Sequence, residues 1–232
     1  MRYGFIMIRL NKFIANSGFV SRRTADAMIL GGLVFVNGKR VTKMGISIDP
    51  ENDVVEVNGT KIRVVTEKTY IALNKPVGVV STRATFEKEK TVYDLVPKSR
   101  NLVIAGRLDK DSDGLVLLTN DGELVNKLTH PSFGHQKEYE IVTTKEFSEE
   151  DRKQLMDGIP LEEGKAVFDS LLTVGQNRYR IVLRQGWKRQ IRRMTAAVHS
   201  HLKRLTRVRI NKLTLEGLKP GEWREVKRSD IV

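Results

Sequence analysis

The 232-residue sequence contains no cysteine. That absence excludes disulfides, thiolate chemistry and cysteine-based zinc sites. Long apolar runs are missing too: segments such as Leu115–Leu118 fall far short of the roughly 20 residues that span a bilayer. The opening Met1–Met7 is too short and polar for a secretory signal, and the organised pattern begins only at Arg9, so Met7 can be read as an alternative start. No membrane association and a cytoplasmic location are the expectations. No internal repeat or low-complexity stretch stands out. The four histidines make no convincing metal site, because His130 precedes a proline turn and His199 and His201 lack a third ligand.

Acidic residues are scarce relative to basic ones. Lys and Arg number 41 against 28 Asp and Glu, a formal net charge of +13. The excess is unevenly placed: residues 1–65 carry 10 basic and 5 acidic side chains, residues 66–177 carry 15 and 19, and residues 178–232 carry 16 and 4. Basic ends flanking a slightly acidic middle suggest a polyanion partner, since phosphate neutralisation with counterion release dominates nucleic-acid affinity. The plainer alternative is a basic protein that uses charge for solubility.

The chain reads as two domains with a polar linker at residues 66–69. In the first, residues 1–65, Leu10, Phe13 and Ile14 have helical spacing and Gly18 ends the turn. Ser21 caps a second helix over Arg22–Leu30. Asn37-Gly38 and Asn58-Gly59 each mark a tight hairpin, the second returning through Ile62–Val65. In the second, residues 70–232, strands are expected at Tyr70–Asn74, Leu102–Ala105, Gly114–Thr119, Glu138–Val142, Tyr179–Leu183, Leu205–Ile210, Lys212–Leu215 and Trp223–Val226. Helices are expected from Asn120 or Asp121 to about Leu128, over Ser148–Met156, and over a basic stretch Arg189–Val198. Strands and helices mix without a βαβ rhythm, so the fold class is α+β: a small αβ domain, then a mixed, largely antiparallel sheet with flanking helices.

The chemistry concentrates in Gly106-Arg-Leu-Asp109-Lys-Asp-Ser-Asp113-Gly, an acid-rich loop between apolar strands. Carboxylates at alternating positions suit Ca²⁺, but the twelfth residue from Asp109 is Asn120 where a bidentate Glu is needed, and metal is not expected. The basic stretch Lys188, Arg189, Arg192 and Arg193 suits phosphate contact, with 188/189 and 192/193 sharing a face if helical. Tyr139 reads equally as a cross-strand core residue or as an exposed π-face.

Two resemblances sharpen this reading. Arg9–Asp26 with Val34–Arg40 resembles the S4 RNA-binding domain. Arg9, Lys12, Arg22, Arg23, Lys39 and Arg40 then become RNA-contact candidates, with Ser-Arg-Arg at a helix start suiting phosphate oxygens. Gly106–Leu115, Leu73-Asn-Lys-Pro-Val-Gly78, Lys137-Glu-Tyr-Glu-Ile141 and Gln185-Gly-Trp-Lys-Arg-Gln-Ile-Arg-Arg-Met194 resemble, in order, the motifs of ribosomal RNA pseudouridine synthases of the RsuA, RluB, RluE and RluF type, nearest the RluF branch.

The resemblance implies that Asp109 is the catalytic carboxylate and Tyr139 stacks on the flipped target base. It implies that Arg192 pairs with Asp109, and that Arg107, two residues before Asp109 and on the same side if in a strand, fills the space the nucleotide leaves. Lys75 joins these four substrate-site residues and organises the site from a strand end. Lys188, Arg189 and Arg193 are left as phosphate contacts. No cofactor or metal is required, because turning uracil from an N1–C1′ to a C5–C1′ link involves no redox change. Asp109 can act as nucleophile, as base, or as a stabiliser of positive charge. The implied partners are ribosomal RNA, specifically the 23S large-subunit RNA, with transfer RNA as a second substrate, and a monomer is expected. The alternatives are an S4-type binding or ribosome-assembly factor without activity, and a metal-dependent nuclease, which would need carboxylates from separate segments. His199-Ser-His201 departs from the pattern usual after the basic helix.

Overall fold

The computed structural model describes residues 7–64, 67–83, 89–97 and 101–232. The chain divides into two units, Met1–Lys68 and Thr69–Val232. The expected hairpin end at Val65 and the linker start at Thr66 lie outside the described residues, as do Met1–Ile6.

In the first unit the helices Leu10–Asn16 and Arg22–Leu30 pack beside a four-stranded antiparallel sheet in the order Lys39–Val41, Val34–Val36, Val55–Val57, Thr60–Ile62. Ser21 caps the second helix, its hydroxyl accepting from the Thr24 amide at 3.1 Å. Asn37-Gly38 and Asn58-Gly59 take left-handed backbone at both residues (φ 51° and 76°; 49° and 76°), the geometry that matches strand twist in a two-residue turn. Leu10, Phe13, Ile14, Ala25, Ile29, Val34, Val55 and Val57 fill the core. Each fully buried side chain of this kind contributes about 1.5–3 kcal/mol.

The second unit is built on a nine-stranded sheet. Its path runs Ser170–Gly175, Arg178–Leu183, Lys137–Thr143, Leu202–Ile210, Asp113–Thr119, Tyr70–Lys75, Trp223–Glu225; Leu213–Thr214 and Val103–Ala105 pair alongside. Neighbouring strands are antiparallel except at one seam, where Leu202–Ile210 meets Asp113–Thr119 in parallel through Thr206 with Asp113 and Arg207 with Gly114. Asp113–Thr119 and Tyr70–Lys75 are buried along their whole length, which explains their unbroken apolar runs: both sheet faces are covered. Ile71, Leu73, Val116 and Leu118 point into one core with Ile191 and Met194 of the helix Gln190–Ala197 and Leu155 of the helix Glu149–Asp157. Ala72, Leu115 and Leu117 point into the other with Leu124 and Leu128 of the helix Gly122–Thr129.

Capping sets the helix starts. Ser148 and Asp151 form a reciprocal capping box, so the helix begins at Glu149 with Ser148 outside it. Asp121 caps the Gly122–Thr129 helix through the amides of Glu123 and Leu124, both at 3.1 Å. The basic helix begins at Gln190, because Arg189 is left-handed at φ 50°. The strand Ser170–Gly175 and the hairpin Ile159–Leu161/Gly164–Ala166 were not anticipated.

Candidate active site

A cleft of about 640 Å³ opens in the second unit. Its first wall is the loop 106–112 between the strands Val103–Ala105 and Asp113–Thr119. The loop is irregular, so the strand-based placement of Arg107 beside Asp109 does not hold, although both residues line the cleft. Fixed donors take its carbonyls one after another. Arg207 reaches Gly106 O at 2.9 Å and Arg107 O at 3.4 Å, the Ser81 hydroxyl reaches Leu108 O at 2.9 Å, and the Gly78 amide reaches Lys110 O at 2.8 Å. With its backbone pinned in this way, the loop presents the Asp109 carboxylate, 42% exposed, to the cleft.

Arg207 is 2% exposed, and its Nε also donates to Leu115 O at 2.7 Å. Its backbone crosses Gly114 at the parallel seam. A Cβ on Gly114 would fall 2.6 Å from the Arg207 nitrogen and closer still to its oxygen, and φ is 105°. Only glycine fits there.

The opposite wall is Gly186–Arg192. Gln190 holds its shape, accepting from the Trp187 amide at 3.1 Å and donating to the Gln185 side chain at 2.7 Å. Arg189 points its guanidinium at both loop carboxylates: Nη1 is 3.8 Å from Asp109 and Nη2 is 3.1 Å from Asp111. The expected Asp109–Arg192 pair is therefore corrected. Arg192 bonds Asp111 O at 3.0 Å, the Ser112 hydroxyl at 3.2 Å and the Asp111 carboxylate at 3.2 Å, and Arg189 takes the place beside Asp109. Burial pushes the Asp111 carboxyl up, but the Arg189 hydrogen bond and the charges of Arg192 and Arg189 outweigh it and hold the group below its ordinary value. Asp113 is drawn away, bonded by Arg204 at 2.7 Å and the Thr206 hydroxyl at 2.5 Å.

Tyr139 lines the cleft from the strand Lys137–Thr143 and is 7% exposed. It belongs both to the core and to the cleft surface, so the two readings of this residue describe its two sides. Lys188 stands before the helix rather than on it, so the shared-face spacing for 188/189 and 192/193 does not apply; Lys188 still lines the cleft.

Two expected site residues lie elsewhere. Lys75 is fully buried and does not line the cleft; its amine donates to Pro76 O at 2.9 Å and Val79 O at 2.8 Å, shaping the turn behind the Asp109 loop. Desolvation lowers its pKa to about 8 against the opposing pull of Asp113, Asp111 and Asp109. Arg193 is clamped by both guanidinium nitrogens on Glu163, at 2.9 and 2.7 Å, and is not a free phosphate ligand. The cations Arg9, Lys12, Arg22, Arg23, Lys39 and Arg40 belong to the first unit. Arg22, Arg23, Lys39 and Arg40 are exposed there, Arg40 lies over Phe35 at 5.5 Å, and Arg9 caps the Gly45 carbonyl. Ser81, Lys137, Asp111, Gln190 and Arg207 were missed. For Lys137, a place two residues before Tyr139 on one strand was an available signal.

Among the described residues no group of three or more His, Asp or Glu converges as metal ligands would, and no helix is long and apolar enough to cross a membrane. The arrangement is a carboxylate beside a guanidinium in a basic cleft that a tyrosine ring also lines, and it suits an anionic polymer with a planar base turned inward.

Comparison with known proteins agrees with this chemistry. Residues 69–197 match the family described as RNA pseudouridylate synthase, and residues 8–55 match the S4 domain. The chain is 42% identical, over 97% of its length and 77% of the relative's, to the dual-specificity RNA pseudouridine synthase RluF of Escherichia coli K12. It is 36% identical to an uncharacterized RNA pseudouridine synthase of Aquifex aeolicus, covering 92% of that protein. A solved pseudouridylate synthase superposes with a TM-score of 0.70 at 29% identity, covering 96% of this chain and 97% of that one. The chain belongs to the RNA pseudouridylate synthase family, an isomerase fold preceded by an S4 domain.

Proposed function

We propose that this enzyme isomerises a uridine of large-subunit (23S) ribosomal RNA, and also one of a transfer RNA, with Asp109 as the catalytic carboxylate. The observation that carries the site assignment is the projection of Asp109 from a fully pinned loop into a cleft shared with Tyr139. The dual specificity in the name of the relative at 42% identity supports the reading of two RNA substrates.

In this reading Tyr139 receives the flipped uracil on its ring, and Arg107 enters the space the nucleotide leaves in the RNA. Asp109 supplies a carboxylate oxygen at C1′, with the Arg189 guanidinium 3.8 Å from it. The N1–C1′ bond breaks, the base turns, and C5 bonds C1′; the C5 proton leaves and N1 gains one, so the atoms balance without cofactor or metal. Lys188 contacts the RNA backbone at the cleft, Arg192 braces the loop through Asp111 and Ser112, and Lys75 stabilises the site from behind. The first unit adds phosphate contacts through Arg9, Lys12, Arg22, Arg23, Lys39 and Arg40. The enzyme works as a cytoplasmic monomer.

Asp109→Asn is expected to abolish isomerisation while leaving RNA affinity within about twofold, since one uncharged isostere changes few contacts. Carbodiimide mapping of unmodified ribosomal and transfer RNA transcripts, with filter binding in parallel, reads both. Turnover retained by the Asn variant sinks the assignment.

A further inference from the structure

Seven cationic side chains line the cleft against one carboxylate, Asp109. Lys110 is paired with Glu89 at 2.7 Å, and Arg189 and Arg192 share Asp111. Among the described residues Lys137 and Arg207 have no carboxylate within ion-pair distance. They sit together, because Tyr139 is two residues from Lys137 on one strand face and faces Arg207 across the neighbouring strand.

Apolar side chains flank them. Leu183 lies opposite Lys137, and Leu183 and Leu205 line the same floor. The Lys137 amine makes only two long contacts, to His135 O and Arg184 O at 3.4 Å each, which leaves donor capacity towards the cleft. Burial, with the charge of Arg207 added, holds its pKa below the ordinary lysine value. Cations held at a partly apolar wall with only carbonyl acceptors, and no carboxylate, favour an anion that joins them.

The RNA backbone is the wrong anion for this place. Exposed Lys188 is better placed for phosphates, whereas the floor beside Tyr139 is where the base itself would lie. An anion arises there during the reaction: when N1–C1′ breaks, its electron pair stays with uracil, spread over N1, O2 and O4. We infer that Lys137 is a further catalytic residue, donating to a uracil carbonyl oxygen and stabilising the charge the base acquires as N1–C1′ breaks, with Arg207 as a fixed charge behind it. The charge is discharged when C5 bonds C1′, the C5 proton leaves to solvent and N1 is protonated. This rests on Tyr139 being the platform for the target uracil. A cation fixed on the protein against apolar side chains acts more strongly than one free in solution.

The test compares Lys137→Met and Lys137→Arg in the full-length enzyme, using unmodified 23S ribosomal RNA and transfer RNA transcripts carrying C5-tritiated uridine. Tritium release reads turnover and filter binding reads affinity. Lys137→Met is expected to lower kcat about 100-fold, the order seen when one transition-state donor is removed, with RNA Kd within twofold. Lys137→Arg should recover at least tenfold of that loss. If the Met variant unfolds, Lys137→Gln, a donor without charge, takes its place in the same comparison. Turnover of the uncharged variant within threefold of wild type overturns the inference, as does an Arg variant no faster than the Met one. A wild-type enzyme that modifies neither RNA fails the functional reading itself, and the inference with it; an active wild type beside an equally active Met variant fails the inference alone.

Discussion

Replacing Lys75 by methionine should make the stability of the catalytic unit depend on pH in a way that isolates one amine. Lys75 is fully buried, with no carboxylate hydrogen bond and two carbonyl acceptors. Its pKa falls from 10.5 to about 8, chiefly by desolvation. The folded state therefore releases the proton at lower pH than the unfolded chain, and between about pH 8 and 10.5 the unfolded chain binds more protons. Stability due to this group rises with pH across that window; below pH 8 the protonated amine carries its full burial penalty. A shift of 2.5 pH units corresponds to roughly 3 kcal/mol.

Methionine has similar bulk and no titration, so wild type minus Lys75→Met cancels every other group. Urea unfolding followed by tryptophan fluorescence suits the measurement, because the sequence has two tryptophans, Trp187 and Trp223, both in the second unit. The difference in unfolding free energy should move by roughly 3 kcal/mol in favour of wild type from pH 7.5 to 10.5. A flat difference curve, or one falling with pH, would refute the burial argument.

Gly114→Ala should destabilise the same unit by about 3 kcal/mol or more, from left-handed strain and the clash with the Arg207 backbone; a fall in Tm of less than about 4 °C in calorimetry would contradict the close approach. Arg193→Ala should lose the Glu163 clamp with little change in Tm, as expected for a surface ion pair, while leaving the salt dependence of RNA binding unchanged; a slope reduced by about one unit would restore Arg193 as a phosphate contact.

Much of the scaffold was legible because local chemistry decides it. The Asn-Gly turns, the Ser21 and Ser148 caps and the two apolar strands at Tyr70 and Gly114 are each dictated within a few residues. The exposed strand Ser170–Gly175, which lies at the sheet edge beside Arg178–Leu183, has no inward-facing apolar alternation to betray it. At the site, residue types were readable and pairings were not. Whether Arg189 or Arg192 meets Asp109 depends on the left-handed turn at Arg189, which delays the helix by one residue and turns the side chain towards the loop. Arg193 looked like its basic neighbours until the hairpin placed Glu163 against it. Arg207 was hidden for a similar reason: an arginine in a basic strand reads as surface, and only the seam with Gly114 shows that it is interior.

The seam also orders events in time. Asp113 and Thr206, whose side chains meet there, are 93 residues apart in sequence, and loop closure over such a span comes late compared with local hairpins. The hairpins Ser170–Gly175/Arg178–Leu183 and Val103–Ala105/Asp113–Thr119 can form locally, but the loop bearing Asp109 gains its Arg207 clamps only when the seam closes. Synthesis proceeds from the N-terminus, so a nascent chain already displays its S4 unit well before Leu202–Ile210 has been made. The S4 unit is thus complete before the loop that bears Asp109 can be clamped.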